Sequence, residues 1–279
     1  MTGRREDGFH ELETIFHGIA LADTLEMTRS RPGEIEVEMR LPAHSQSHLP
    51  PPEGNLVRIA AAHVSRLAPR PAGASIVVTK EIAIGAGMAG GSSDAAATIV
   101  GLNALWGLGL TRRRLLGIAA MVGSDVPYCL DGGTVLATGR GTEMTRLAAA
   151  PEMWFVLGIS HRPLMTRAVY DAWDRVGASG PDVADAMTGA LARRDVIAIA
   201  ALLHNDLYPP ALSLRPEIEA GCRALIEAGA LGAGMAGSGP TVFALAGSER
   251  HAREVASAVR DHFPQVEVVA SAPRSIERI

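Results

Sequence analysis

The sequence predicts an α+β fold in two packed layers, divided into two domains, 1–148 and 149–279. Three observations carry that expectation. Strand-like runs come in groups, with helical stretches collected between them rather than alternating one for one. A chain of 279 residues is longer than a single small core requires. The buried-looking run "MWFVLGIS" then opens a second half with its own glycine cluster and its own closing strand, and no internal repeat is visible.

The elements follow in order. "HELETIFHGIALADTLEMTRS" alternates loosely and reads as strand, turn and strand, with Ala22-Asp23 at the turn. "GEIEVEMRL" alternates cleanly, the mark of a half-buried strand. A proline-rich polar loop follows; its His44 and His48 are four apart, but a loop of that kind is a poor metal site. "NLVRIAAAHVSRLA" has helical spacing behind Asn55, a good N-cap residue. "ASIVVTKEIAI" reads as a strand running into "GAGMAGGSSDAAATIV", where glycines give way to an alanine-rich helix. "TRRRLLGIAAMVG" is a helix capped by Thr111, with Arg112 to Arg114 as a solvated face, and "GGTVLATGRG" is strand and turn. Past the boundary come helices around 166–177, 182–205 and 215–229, the cluster "LGAGMAGSGPTVFALAG", a helix near 249–262 and the strand "VEVVAS".

Composition narrows the function. With 47% apolar and 20% charged residues the chain is an ordinary globular one. A net charge of −4 offers no general attraction to nucleic acid or anionic lipid, so a polyanionic ligand needs a local site. No run approaches the ~18–20 apolar residues of a membrane span, and "MTGRREDGFH" has no apolar signal core. The expectation is a cytoplasmic protein with neither a nucleic-acid nor a membrane partner. Cys129 and Cys222 match no zinc or redox spacing and are expected as two buried thiols in a reducing compartment.

The loop from Gly85 to Ser93 is the strongest local signal. Glycine serves where φ is positive or a ligand must approach the main chain. A following helix N-terminus adds unpaired N–H groups and a positive dipole end, which together cradle an anion. Ser92 and Ser93 can cap that helix or turn a hydroxyl toward a phosphate or Mg²⁺, and Asp94 suits its first turn electrostatically. A P-loop is excluded, because no lysine lies in or after the loop. The dinucleotide fingerprint is literally present at Gly85, Gly87 and Gly90, but the acidic residue expected ~20 positions on is missing from "GLGLTRRRLL".

A third loop type fits better. "AIGAGMAGGSSDAA" resembles the P-x-G-x-G-L-G-S/G-S-S loop of the galactokinase, homoserine kinase, mevalonate kinase and phosphomevalonate kinase superfamily, with Ala83 in place of proline and Ala89 in place of a glycine. "TGRREDGFHELETIFHGIALADTLEM", "GSDVPYCLDGGTVLATGRGTEMTRL", "NDLYPPA" and "GAGMAGSGPTVFAL" resemble, in order from residue 2 to about 246, the branch that phosphorylates 4-diphosphocytidyl-2-C-methyl-D-erythritol. The resemblance implies a two-domain small-molecule kinase fold: an N-terminal S5-domain-2-like ATP-binding domain, a ferredoxin-like C-terminal domain, and a cleft between them. It implies transfer of the ATP γ-phosphoryl group to the 2-hydroxyl of the methylerythritol unit, in the non-mevalonate route to isoprenoid and terpenoid precursors. The implied partners are ATP, Mg²⁺ and the cytidine diphosphate-linked small molecule, acted on by a monomer or weak homodimer.

Residue by residue, the resemblance places ATP on Ala83, Ile84, Gly85, Ala86, Gly87, Met88, Ala89, Gly90, Gly91, Ser92 and Ser93, with the Ser93 hydroxyl nearest the metal. Asp125 in "GSDVPY" becomes the catalytic base, although alone it reads as a turn aspartate. Phe9 and His10 match the segment that holds the cytosine, with Phe9 lacking a tyrosine hydroxyl. Thr166 and Tyr170 have the spacing of a group closing over the base, and Gly237, Ser238 and Gly239 can bring N–H groups to the substrate diphosphate. On the residues alone, a ligand-free His10, a helix-packing Tyr170 and a plain turn at Gly237–Gly239 stay open.

Relatives begin with an apolar P-A-K-[IV]-N-L strand that supplies a catalytic lysine, whereas this chain opens at Met1-Thr2-Gly3. The true start is therefore expected upstream. Lys80, the only lysine, belongs to the strand before the ATP loop and is not its counterpart. The alternatives are a truncated or non-catalytic nucleotide-binding homologue of the same fold, or another kinase of the superfamily, against which "DGFHELETIF" argues.

Overall fold

A computed structural model describes residues 1, 3–4, 10–42, 51–147, 150–176 and 179–277. Phe9, His44, His48 and the expected boundary at 148–149 lie outside the described residues.

In the first half, β1 (Gly3–Arg4) pairs with β2 (His10–Glu11). A second sheet joins β3 (Thr14–His17), β7 (Thr134–Thr138) and β8 (Glu143–Arg146) in that spatial order. A third places β6 (Gly73–Thr79) between β4 (Thr24–Ser30), antiparallel to it, and β5 (Ile35–Arg40), parallel to it. Side chains of β5 alternate between half-buried and exposed, as its sequence requires. Helix α1 (Leu56–Ser65) starts where Asn55 Oδ1 accepts from the amides of Val57 (2.9 Å) and Arg58 (3.4 Å). Its Val57, Ala60, Ala61 and Val64 pack with Ala95, Ala96, Ile99 and Leu102 of α2 (Gly90–Trp106) and with Ile76 and Val78 of β6. Helix α2 touches α1, β4, α3 (Arg112–Val122) and α4 (Val126–Asp131), so alanines are what fit on its crowded faces. Burial of Ile99 and Leu102, neither of which reaches solvent, stabilises this core by about 1.5–3 kcal/mol per side chain.

The second half is one antiparallel sheet of β9 (Trp154–Ile159), β10 (Gly232–Met235), β11 (Val242–Ala246) and β12 (Gln265–Ala270). The spatial order is β10-β11-β9-β12, which is the ferredoxin-like arrangement. Both faces are covered, which explains the unbroken apolar run in β9. Val156, Val242, Ala244 and Ala246 face α5 (Thr166–Val176), α8 (Tyr208–Leu214), α9 (Glu217–Glu227) and α10 (Glu249–Ala258). Phe155, Leu157, Ile159 and Leu245 face α6 (Ala184–Ala192), α7 (Val196–Ala201) and side chains of the first half, among them Ile15, Ile19 and Met88.

Main-chain pairing joins the halves. The Ala20 amide donates to Ala270 O and the Ala272 amide to Gly18 O, both at 2.8 Å, so residues 18–20 cover the edge of the C-terminal sheet beyond β12. His17 sits at this seam, with Nδ1 2.9 Å from Thr134 Oγ1 and Nε2 2.8 Å from Ser271 Oγ. Burial holds its pKa down at about 4.

Several expectations need correction. The strand before the glycine loop ends at Thr79, not Ile84. The helix expected over 182–205 is two, because Arg194 adopts φ 59° and Asp195 caps α7 by accepting from the Ala198 amide. Thr111 precedes α3 without a side-chain capping bond. The last long helix stops at Ala258, followed by a single 3₁₀ turn. Short elements α4, α8 and β8 were not legible.

Candidate active site

Three carbonyls of the glycine loop are engaged while, among the described residues, its amides are not. Gly85 O accepts from Leu164 N (3.4 Å), Ala86 O from Thr241 N (3.3 Å) and Ala89 O from Ser93 N (2.9 Å). Among the described residues, no hydrogen bond is donated by the amides of Gly85 to Ser92. Positive φ at Gly85 (66°), Gly87 (77°) and Ala89 (54°) turns the chain to achieve this. Ala83 and Met88 anchor the loop by packing into the apolar face shared with the second half, and Ala86 is buried. Ile84 lies half-buried ahead of them. The bare amides run straight into α2, whose dipole adds positive potential at the same place.

The loop touches the second glycine cluster. A Cβ on Gly87 would stand 2.5 Å from Ala236 O and 2.6 Å from Gly239 O, so main chain meets main chain there. In the second cluster the Gly239 amide is committed to Ala236 O at 2.8 Å, while those of Gly237 and Ser238 donate to nothing among the described residues. The expectation of three available amides thus reduces to two. Asn205, in the "NDLYPPA" stretch, holds this turn by donating to Met235 O (3.0 Å) and Gly237 O (2.8 Å). Ser238 Oγ lies 3.0 Å from Thr166 Oγ1.

Asp125 is the N-cap residue of α4, yet its side chain makes no capping bond and, among the described residues, no ion pair. The reading of it as a turn aspartate bonding nearby N–H groups therefore fails. Burial holds its carboxyl above the ordinary carboxylate range, which makes it a stronger base. Tyr170 is close enough that burial and then the Asp125 charge push its hydroxyl up to about 12. His10 stacks beside Tyr170 at 4.9 Å between ring centroids, and its Nε2 lies 2.6 Å from Asp174 Oδ1. His10 and Tyr170 are thus in ring contact, and Thr166 meets Ser238 of the second loop.

Two expectations about the start of α2 are corrected. The helix begins at Gly90 with Ala89 as N-cap, so Ser92 and Ser93 lie within its first turns rather than capping it. The Ser93 hydroxyl donates to Gly90 O at 2.9 Å, leaving its lone pairs available. Asp94 does not simply greet the dipole: it is buried against Lys80, with Nζ 2.7 Å from Oδ2. Lys80 also pairs with Asp23, whose other oxygen accepts from the amides of Glu81 (2.6 Å) and Ile82 (2.9 Å). Burial, opposed by the ammonium, pushes the Asp94 carboxyl up. This clamp ties the strand end, the β3–β4 connection and helix α2 together. The sequence hinted at it only through the solitary lysine.

The paired glycine loops on a two-domain α+β frame are those of a GHMP small-molecule kinase: the pattern "GHMP kinases N terminal domain" matches residues 55–133 and "GHMP kinases C terminal" matches 187–265. Relatives named 4-diphosphocytidyl-2-C-methyl-D-erythritol kinase are 40% identical in Exiguobacterium sibiricum, over 96% of this chain and 92% of the relative, and 43% identical in Moorella thermoacetica, over 94% and 91%. The chain belongs to the 4-diphosphocytidyl-2-C-methyl-D-erythritol kinase family. A crystal structure of 4-(cytidine 5'-diphospho)-2C-methyl-D-erythritol kinase superposes with a TM-score of 0.77 at 31% identity, covering 96% of this chain and 93% of that one. Homoserine kinase from Cytophaga hutchinsonii shares the fold alone, at 19% identity and a TM-score of 0.72 over 95% of this chain and 96% of its own.

Proposed function

We propose that the chain transfers the γ-phosphoryl group of ATP to the 2-hydroxyl of 4-diphosphocytidyl-2-C-methyl-D-erythritol. The observation that carries this reading is the run of amides from Gly85 to Ser92, unbonded among the described residues, in one fold with a buried Asp125 carboxylate that has no ion pair among them. Phosphoryl transfer has a loose transition state, so a kinase works by positioning and by charge stabilisation. The amides and the α2 dipole hold the triphosphate. Asp125 accepts the proton of the acceptor hydroxyl, a poor nucleophile that needs a base. Thr166, Ser238 and the free amides of Gly237 and Ser238 orient the acceptor's diphosphate, and His10 with Tyr170 holds the pyrimidine end.

Ser93 fits Mg²⁺, since its hydroxyl hydrogen is directed to Gly90 O and its lone pairs remain. Ser93 would hold the ion there, and Mg²⁺ would supply neutralisation of phosphate charge. Among the described residues no three His, Cys, Asp or Glu side chains form a metal group. Two free thiols, Cys129 buried and Cys222 partly so, support a reducing, cytoplasmic setting.

The test is Asp125→Asn. It lowers kcat by about 10²–10⁴-fold while both KM values and the melting temperature stay close to those of the parent. Unchanged turnover removes Asp125 as the base.

A further inference from the structure

We propose that Asp174 is a positioning residue that makes His10 read the acceptor's pyrimidine as cytosine and reject uracil. The inference rests on the reading above, that the acceptor is a cytidine diphosphate.

Thr166, Tyr170 and Asp174 stand four residues apart on α5 and so form one stripe along it. Eight residues of helix span about 12 Å. At one end of the stripe Thr166 meets Ser238 of the second glycine loop; at the other Asp174 meets His10. A carboxylate only accepts hydrogen bonds, so the 2.6 Å contact from Asp174 Oδ1 requires a hydrogen on His10 Nε2. In a neutral imidazole the other nitrogen is then a bare acceptor. Nδ1 of His10 makes no hydrogen bond among the described residues. Two rings fix the plane of this imidazole. Tyr170 lies tilted against it at 4.9 Å, and Trp173 is perpendicular to it at 5.3 Å.

Cytosine and uracil differ where this acceptor matters. Cytosine carries an amino group at C4, a donor; uracil carries a carbonyl oxygen there, an acceptor. An acceptor at Nδ1 pairs with the first and meets the second lone pair against lone pair. An unsatisfied buried polar contact costs about 1–3 kcal/mol, or roughly 5- to 150-fold in kcat/KM. Asp174 touches neither base; it acts through the tautomer of His10.

The experiment uses the full chain at pH 8 with the cytidine and uridine diphosphate derivatives of methylerythritol as alternative acceptors. The parent is expected to favour the cytidine compound by about 10- to 100-fold. Asp174→Asn, whose amide can donate to Nε2 and drive the hydrogen to Nδ1, is expected to cut that preference at least tenfold. The change falls on KM for the acceptor, with KM for ATP unmoved, and Asp174→Glu restores the preference. Nitrogen-15 NMR of His10 is expected to report the Nε2–H tautomer in the parent and Nδ1–H in Asp174→Asn. An unaltered preference in Asp174→Asn overturns the proposal, as does an Nδ1–H tautomer in the parent, which needs no folded variant. A parent that phosphorylates the two acceptors equally overturns it while leaving the kinase reading intact. A parent that binds ATP but phosphorylates neither overturns the kinase reading itself.

Discussion

Gly87 is held at φ 77° with two carbonyl oxygens from the second loop where a side chain would go. Both constraints act on Gly87→Ala. A left-handed backbone costs an L-residue about 1–2 kcal/mol, and forcing the loops apart costs about 1–3 more. The variant is expected to lose about 2–5 kcal/mol of unfolding free energy by urea titration and to show a raised KM for ATP. The run of glycines was legible as a phosphate cradle, but the reason for this glycine was not, because its partner lies some 150 residues later in the chain. Asp125 was readable only through its motif, since nothing in "GSDVPY" announces a short helix that leaves its carboxylate unbonded. Asp174 carries no motif, and only its spacing from Thr166 and Tyr170 could have drawn attention.

At the scale of elements, β6 and α2 are locked by the buried ion cluster of Lys80, Asp94 and Asp23. Removing the cation leaves two carboxylates in the interior with no counter-charge. Lys80→Met is expected to destabilise the chain by about 3–5 kcal/mol. Adding Asp94→Leu is expected to recover part of that loss, so that the double variant departs from additivity in a denaturation cycle. The long elements were readable by different signals: α1 by its apolar spacing behind Asn55, α2 by an alanine-rich, proline-free run that is apolar all round rather than on one face. Helices α4 and α8, of six and seven residues, were not: pieces so short form only against tertiary neighbours. The break at Arg194 escaped notice for a related reason, since arginine rarely takes a positive φ and gives no warning of one.

For the whole molecule, the seam around His17 makes stability depend on pH. The imidazole stays neutral in the folded chain down to about pH 4, whereas in the unfolded chain it protonates near the usual 6.5. Below that value the unfolded state binds the extra proton, so its contribution to stability is complete above pH 6.5 and is lost as pH falls toward 4. Between pH 7 and pH 5 the loss from this group is about 2 kcal/mol. Urea titrations at both pH values are expected to show that decline in the parent and a flatter one in His17→Gln. The two-domain plan was visible in the sequence, yet the β-bridge between Ile19 and Ser271 was not, because it pairs segments from opposite ends of the chain.

That stitching reaches the glycine loop. Backbone threads cross between the halves at Gly18–Ala272 and Ala20–Ala270, and again at Gly85–Leu164 and Ala86–Thr241. The second pair of threads springs from the glycine loop itself, so the placement of that loop is set by Leu164 and Thr241 of the other half as well as by its own helix.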